Sequence, residues 1–108
     1  MFHGWDDVAL SAHMSTNYVE QVYAHDATVR ADVKLFMMPG ALHCFGGQGP
    51  TIVDWVGVME EWHGNGSAPA ELIATYENKS GARKLCAWPQ QARFTAGNPE
   101  TAEAYVCE

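Results

Sequence analysis

Val33-Lys34-Leu35-Phe36-Met37-Met38-Pro39-Gly40-Ala41-Leu42-His43-Cys44 is the stretch on which the fold turns. Val33 to Met38 is a β-prone run broken only by Lys34 and apolar on both faces. Such a run suits an interior strand of a parallel sheet with helices on each side. Pro39-Gly40 ends it. His43 then stands on the loop beyond the carboxyl end of the strand, where open α/β sheets collect side chains from several loops into one crevice.

On the N-terminal side of this run, Met14, Tyr18 and Val22 recur at i, i+4 and i+8 between Ser11 and about Ala24. That spacing predicts an amphipathic helix, with Ser11 or Ser15 as its N-cap. On the C-terminal side comes a glycine-rich loop, Gly46-Gly47-Gln48-Gly49-Pro50. Thr51-Ile52-Val53-Asp54 reads as a capping box with Thr51 at the N-cap and Asp54 at N3. Ile52, Trp55, Val56, Met59 and Trp62 then keep helical spacing until Gly64 to Gly66 stops the helix. Leu72 to Tyr76 reads as a short strand, and Pro89, Gly97 and Pro99 make the remainder loop-rich. A helix, a buried strand, a loop and a helix are closing elements of an α/β fold. With only one earlier strand left to pair with it, the Val33 to Met38 strand is expected to have its other edge open.

A chain of 108 residues is one domain at most. Its 47% hydrophobic and 18% charged residues fit a packed core rather than a disordered tail. Six basic residues scattered among thirteen acidic ones, for a net charge of -7, exclude a nucleic-acid partner, which demands clustered Lys and Arg. No run approaches the about 20 apolar residues of a membrane span. Met1-Phe2-His3-Gly4-Trp5 has neither the basic nor the apolar region of a signal peptide. Because the chain opens on what reads as a strand end, truncation is expected. The five histidines are dispersed and no Cys-x-x-Cys occurs, so no metal site is expected. His13, His25 and His63 read as polar surface. No lysine follows Gly46 to Gly49 as a phosphate-binding loop requires.

The chemistry rests on His43 and an acid. Asp7 follows the first segment, His3-Gly4-Trp5-Asp6-Asp7, as His43 follows the second. In hydrolases of the α/β type the acid precedes the histidine in chain order. The chain between them is long enough for one helix and one strand to return to the same sheet edge. A serine hydroxyl needs an imidazole to take its proton, and a carboxylate to fix that imidazole's tautomer. Asp7 is the expected carboxylate and His43 the expected base. Asp6 competes, but adjacent side chains on an extended loop point opposite ways, so only one faces the histidine.

The ordered set of motifs resembles the tannase and feruloyl esterase family. His3-Gly4-Trp5-Asp6-Asp7 is similar to that family's His-Gly-Trp-Ala-Asp, whose final Asp falls on Asp7. Phe36-Met37-Met38-Pro39-Gly40-Ala41-Leu42-His43-Cys44 resembles Phe-Met-Val-Pro-Gly-Met-Gly-His-Cys. The Gly46 to Pro50 run, Asp54-Trp55, Leu85-Cys86-Ala87-Trp88-Pro89 and the closing Cys107 follow colinearly. Ala41, Leu42 and Val8 depart from the family pattern beside the two site residues.

The resemblance implies the C-terminal portion of an α/β-hydrolase fold over residues 1–108, part of a single catalytic domain. It would comprise the last strands and helices of a mostly parallel sheet and a loop-rich, disulfide-linked tail. It implies a serine carboxylic ester hydrolase acting on small aromatic esters, galloyl or feruloyl, with Asp7 and His43 as two triad members. No Gly-x-Ser-x-Gly occurs, so the nucleophile, its oxyanion hole and the family's lid domain with its calcium site are expected upstream. No cofactor is expected in this chain, and the remainder of its own polypeptide is the expected partner. Cys86 would bond Cys107, and Cys44 would bond a cysteine upstream beside the serine. Paired cysteines imply a secreted or periplasmic protein. Two other readings stand beside this one: another α/β-hydrolase of peptidase type, and a small disulfide-containing binding module without catalysis.

Overall fold

A computed structural model describes all 108 residues, Met1–Glu108. In chain order the elements are β1 (Phe2–Gly4), α1 (Ala12–His25), a 3₁₀ turn (Ala27–Ala31), β2 (Phe36–Met38) and α2 (Trp55–Asn65). Then follow β3 (Glu71–Thr75), β4 (Ala82–Cys86), β5 (Ala92–Phe94), a short 3₁₀ turn (Ala102–Ala104) and β6 (Tyr105–Cys107). β1 and β2 pair in parallel with Phe2 opposite Phe36 and Gly4 opposite Met38. The segment between them carries α1, as a parallel connection requires.

β2 is short, but Leu35, Phe36, Met37 and Met38 are all buried. Successive strand residues point to opposite faces, and the core divides accordingly. Phe36 and Met38 pack with Ala41, Leu72, Ala74, Leu85 and Ala87. Leu35 and Met37 pack on the other face with Ala12, Val19 and Tyr23 of α1. Burying a side chain such as Leu35 contributes about 1.5–3 kcal/mol.

The structure corrects the sequence reading in four places. The outer edge of β2 is not open: Trp88 donates its backbone N–H to the Leu35 carbonyl at 2.8 Å, and Ala87 bridges Phe36 in antiparallel sense. The strands do not form one mostly parallel sheet: parallel pairing is confined to β1–β2, and β3–β4 and β5–β6 are separate antiparallel two-stranded sheets. The tail is therefore two hairpin-like ribbons rather than loops, joined by the Cys86–Cys107 disulfide with Cα atoms 5.6 Å apart. Finally, α2 starts later than the capping-box reading allows. Thr51 and Ile52 both donate their N–H to the Thr75 carbonyl at 3.1 Å, which holds them extended. Asp54 is thus the N-cap, its Oδ1 accepting the Gly57 N–H at 3.0 Å. Gly66, in the left-handed region at φ 66°, closes the helix.

α1 runs where periodicity places it, with Ser11 at its N-cap position but making no side-chain capping bond. Its buried face is Ala12, Thr16, Val19 and Tyr23, whereas Met14 and Tyr18 are 63% and 57% exposed. Tyr18 and Val22 instead join Phe2, Trp55, Met59 and Trp62 around an open apolar groove of about 580 Å³.

Candidate active site

Two crossings bring the site together. Past β1, Trp5 and Asp6 continue the parallel pairing, donating their N–H groups to the Met38 and Ala41 carbonyls at 3.0 and 3.1 Å. This lays the loop after β2 across the end of β1. The loop itself is a tight reversal: Leu42 donates to the Gly46 carbonyl at 3.1 Å, and Ala41 bridges Gly47. Cys44, at its tip, adopts φ 64°, a left-handed conformation that costs a residue with a β-carbon roughly 1–2 kcal/mol. The reversal turns His43 back toward β1.

Asp7 meets it there. His43 Nδ1 lies 2.7 Å from Asp7 Oδ2. An ionised carboxylate only accepts, so Nδ1 carries the proton and Nε2 is left with its lone pair. Nε2 makes no hydrogen bond within the chain. The Asp7 side chain is 3% exposed and that of His43 is 49% exposed. The carboxylate is sunk and the imidazole stands open. Asp6, the competing carboxylate, is exposed and takes no part.

Asp7 is saturated with donors. Its Oδ1 accepts the Ala9 and Leu10 backbone N–H groups at 2.8 and 2.9 Å. Its Oδ2 accepts from His43 and also faces His3 Nε2 at 3.1 Å. The Leu10 N–H foremost, with His43 and the Ala9 N–H, holds the Asp7 carboxyl well below the usual carboxylate range, against the opposing push of burial. Asp7 is therefore a fixed anion at any pH near neutral. His3 Nδ1 in turn lies 2.7 Å from Ser15 Oγ. Nothing in the spacing of the sequence points to Ser15, which reaches the site from the first turn of α1. His3 has one local signal, its i, i+4 relation to Asp7.

A cleft of about 210 Å³ opens beside the pair, walled by Phe2, Met38, Ala41, Leu42 and Cys44. Cys44 is a free, exposed thiol next to His43. Cys86 and Cys107 lie in the disulfide of the tail. The calcium that the family resemblance implies has no ligand set here, since no group of three or more His, Cys, Asp and Glu side chains is arranged to hold a metal ion. No helix is long and apolar enough to cross a membrane.

An anchored imidazole with a free Nε2 can take a proton from a hydroxyl and return it to a leaving group. Comparison with known proteins gives this arrangement a setting. Over 99% of its length the chain is 30% identical to mono(2-hydroxyethyl) terephthalate hydrolase of Piscinibacter sakaiensis, of which it covers 19%. It superposes on tannin acyl hydrolase from Aspergillus niger with a TM-score of 0.77 and 31% identity, covering 99% of this chain and 22% of that one. An esterase structure from Aspergillus oryzae shares the fold at a TM-score of 0.87 and 22% identity, over 99% of this chain and 26% of that chain. The chain thus spans about a fifth to a quarter of the length of these relatives. The family model described as tannase and feruloyl esterase matches residues 1–108, the whole chain, which therefore belongs to the tannase and feruloyl esterase family.

Proposed function

We propose that these residues form the acid–base half of the active site of a serine carboxylic ester hydrolase acting on aromatic esters, galloyl or feruloyl in type. One observation carries the reading: His43 is anchored through Nδ1 on the buried anion Asp7 while Nε2 is left free and exposed. Family membership supplies the reaction class.

In this mechanism His43 Nε2 takes the proton of a serine hydroxyl as its oxygen attacks the ester carbonyl carbon. Asp7 stays ionised and stabilises the imidazolium. The tetrahedral intermediate collapses, the carbon–oxygen bond to the alcohol breaks, and Nε2 delivers its proton to the departing oxygen. Water repeats the sequence on the acyl-enzyme: its proton passes to Nε2 and then to the serine oxygen, and the aromatic acid leaves. The serine and its oxyanion donors belong to other parts of the polypeptide, for which residues 1–108 serve as the C-terminal portion of an α/β-hydrolase domain. Cys44, exposed beside His43, would bond a cysteine next to that serine. The Cys86–Cys107 bond fits an oxidising compartment, secreted or periplasmic.

The test uses the full-length polypeptide carrying this chain, with a feruloyl and a galloyl ester as substrates. His43→Ala is expected to lower kcat by roughly 10³-fold or more. Turnover that survives His43→Ala undiminished overturns the reading.

A further inference from the structure

A second histidine lies against Asp7. His3 Nε2 lies 3.1 Å from Asp7 Oδ2, the same oxygen that receives His43, and 3.3 Å from the Leu10 carbonyl oxygen. Both are acceptors, so Nε2 carries a proton, which it donates to the Leu10 carbonyl while its edge lies against Oδ2. Nδ1 faces Ser15 Oγ at 2.7 Å, a group able to donate. With the Ser15 hydroxyl donating, His3 is satisfied as the neutral Nε2–H tautomer, and no charge need be placed beside the Asp7–His43 pair. The His3 side chain is 11% exposed, against 49% for His43. It lines the same cleft as His43 but is far less open to solvent.

We infer that His3, with its tautomer set by Ser15, is a positioning residue for Asp7, orienting the carboxylate so that Oδ2 meets His43 Nδ1. The backbone donors of Ala9 and Leu10 both act on Oδ1 and fix that oxygen alone. Rotation of the carboxylate about its terminal bond is resisted on the Oδ2 side by His43, which is itself the group to be aligned, and by His3, which is not. His3 is therefore the only fixed side-chain reference on the oxygen that serves the base. The Ser15 contact makes the first turn of α1 part of the acid–base apparatus. His3 of β1 and His43 of the loop after β2 meet at one carboxylate oxygen, with Ser15 of α1 behind His3.

The inference rests on the reading of Asp7 and His43 as acid and base, and the experiment separates the two. In the full-length esterase, His3→Ala, His3→Gln and Ser15→Ala are compared with His43→Ala on one aromatic ester. A glutamine amide reaches Asp7 with a donor from nearly the same place. His3→Ala is expected to lower kcat about 10–100-fold, the range typical of partners that orient a functional side chain, with KM within about twofold. The acid limb of kcat/KM against pH should move to lower pH, because a loosely held carboxylate stabilises the His43 imidazolium less. His3→Gln should restore most of kcat and return the limb toward wild type. Ser15→Ala should lie between wild type and His3→Ala.

Wild-type kcat and an unmoved acid limb in His3→Ala, with His43→Ala inactive, overturn this inference alone. Equal losses in His3→Ala and His3→Gln, tracking loss of thermal stability with an unmoved limb, reduce His3 to a packing role and overturn it as well. Undiminished turnover in His43→Ala overturns the underlying reading, and this inference with it.

Discussion

Gly4 ends β1 directly beneath the Ala41 carbonyl, so close that a β-carbon on Gly4 has no room. The contact is backbone on backbone and cannot be relieved by a side-chain rotation. It lets the loop carrying His43 lie across the strand that leads to Asp7. A Gly4→Ala substitution must push Ala41 and Leu42 away. Forced overpacking of this kind costs typically 1–3 kcal/mol. The expected outcome is a lower denaturation midpoint together with a loss of ester turnover larger than the loss of folded protein. An unchanged kcat in Gly4→Ala means that the close approach does not set the site.

The two neighbouring aspartates provide a sharper contrast. Asp7 accepts from His43 and two backbone donors and lies against His3, whereas Asp6 is exposed. Asp7→Asn removes the anion and favours the wrong His43 tautomer, a change worth about 10⁴-fold in kcat in the chymotrypsin triad. A loss on that order is expected in the full-length enzyme, while Asp6→Asn should stay within about threefold of wild type, a surface substitution making no site contact. The reverse ranking transfers the acid role to Asp6.

How much of this was legible depends on the range of the forces involved. β2 could be read because Leu35 to Met38 are buried on both faces, and the continuous apolar run states that directly. The meeting of Asp7 with His43 follows from two strand ends on one sheet edge. The start of α2 departs from its capping-box signal because Thr51 and Ile52 are captured by the Thr75 carbonyl, a partner distant in sequence. β5 and β6 are three residues each and sit beside a disulfide that bridges 21 positions, so no local period marks them. The α1 stripe of Met14, Tyr18 and Val22 has true helical spacing but lies away from the face that packs on Leu35 and Met37. His3 escaped a role because its second partner, Ser15, arrives on another element.

The low proton affinity of Asp7 has a consequence for acid stability. Its carboxyl is depressed in the folded state, so its contribution is present above the unfolded value of about 3.9 and is lost as pH falls from there toward the folded value. Below about pH 4 the wild-type chain should therefore lose stability faster than Asp7→Asn, which has no such proton to take up. Denaturant midpoints of both at pH 7 and pH 3 in the full-length protein decide this. Parallel acid losses would show that Asp7 does not carry the effect.

The Cys86–Cys107 bond joins the end of β4 to the end of β6 across a separation of 21 residues. Closing a loop of that size restrains the unfolded chain by roughly 3 kcal/mol on chain-entropy reasoning. The double variant Cys86→Ala, Cys107→Ala should lower the denaturant midpoint accordingly. The Asp7–His43 pair lies in a different part of the chain, so kcat at low temperature should fall by less than about threefold. A large kcat loss in fully folded double variant would instead tie the tail ribbons to the site.

The apolar groove beneath Phe2, Tyr18, Trp55, Met59 and Trp62 sets the behaviour of the 108-residue chain by itself. Phe2 stacks on Trp55 with ring centroids 4.7 Å apart, yet Phe2, Tyr18 and Met59 remain exposed. β1 pairs with β2 on one side only, leaving its other edge unpaired. A free edge beside an apolar groove promotes association. Residues 1–108 expressed alone should therefore sediment as oligomers or aggregates, bind an apolar dye strongly and show no ester turnover. Replacing Tyr18 and Met59 together by Lys should reduce the association without touching Asp7 or His43. A soluble, dye-silent monomer with a sharp reversible thermal transition would show that the groove is already satisfied within these residues.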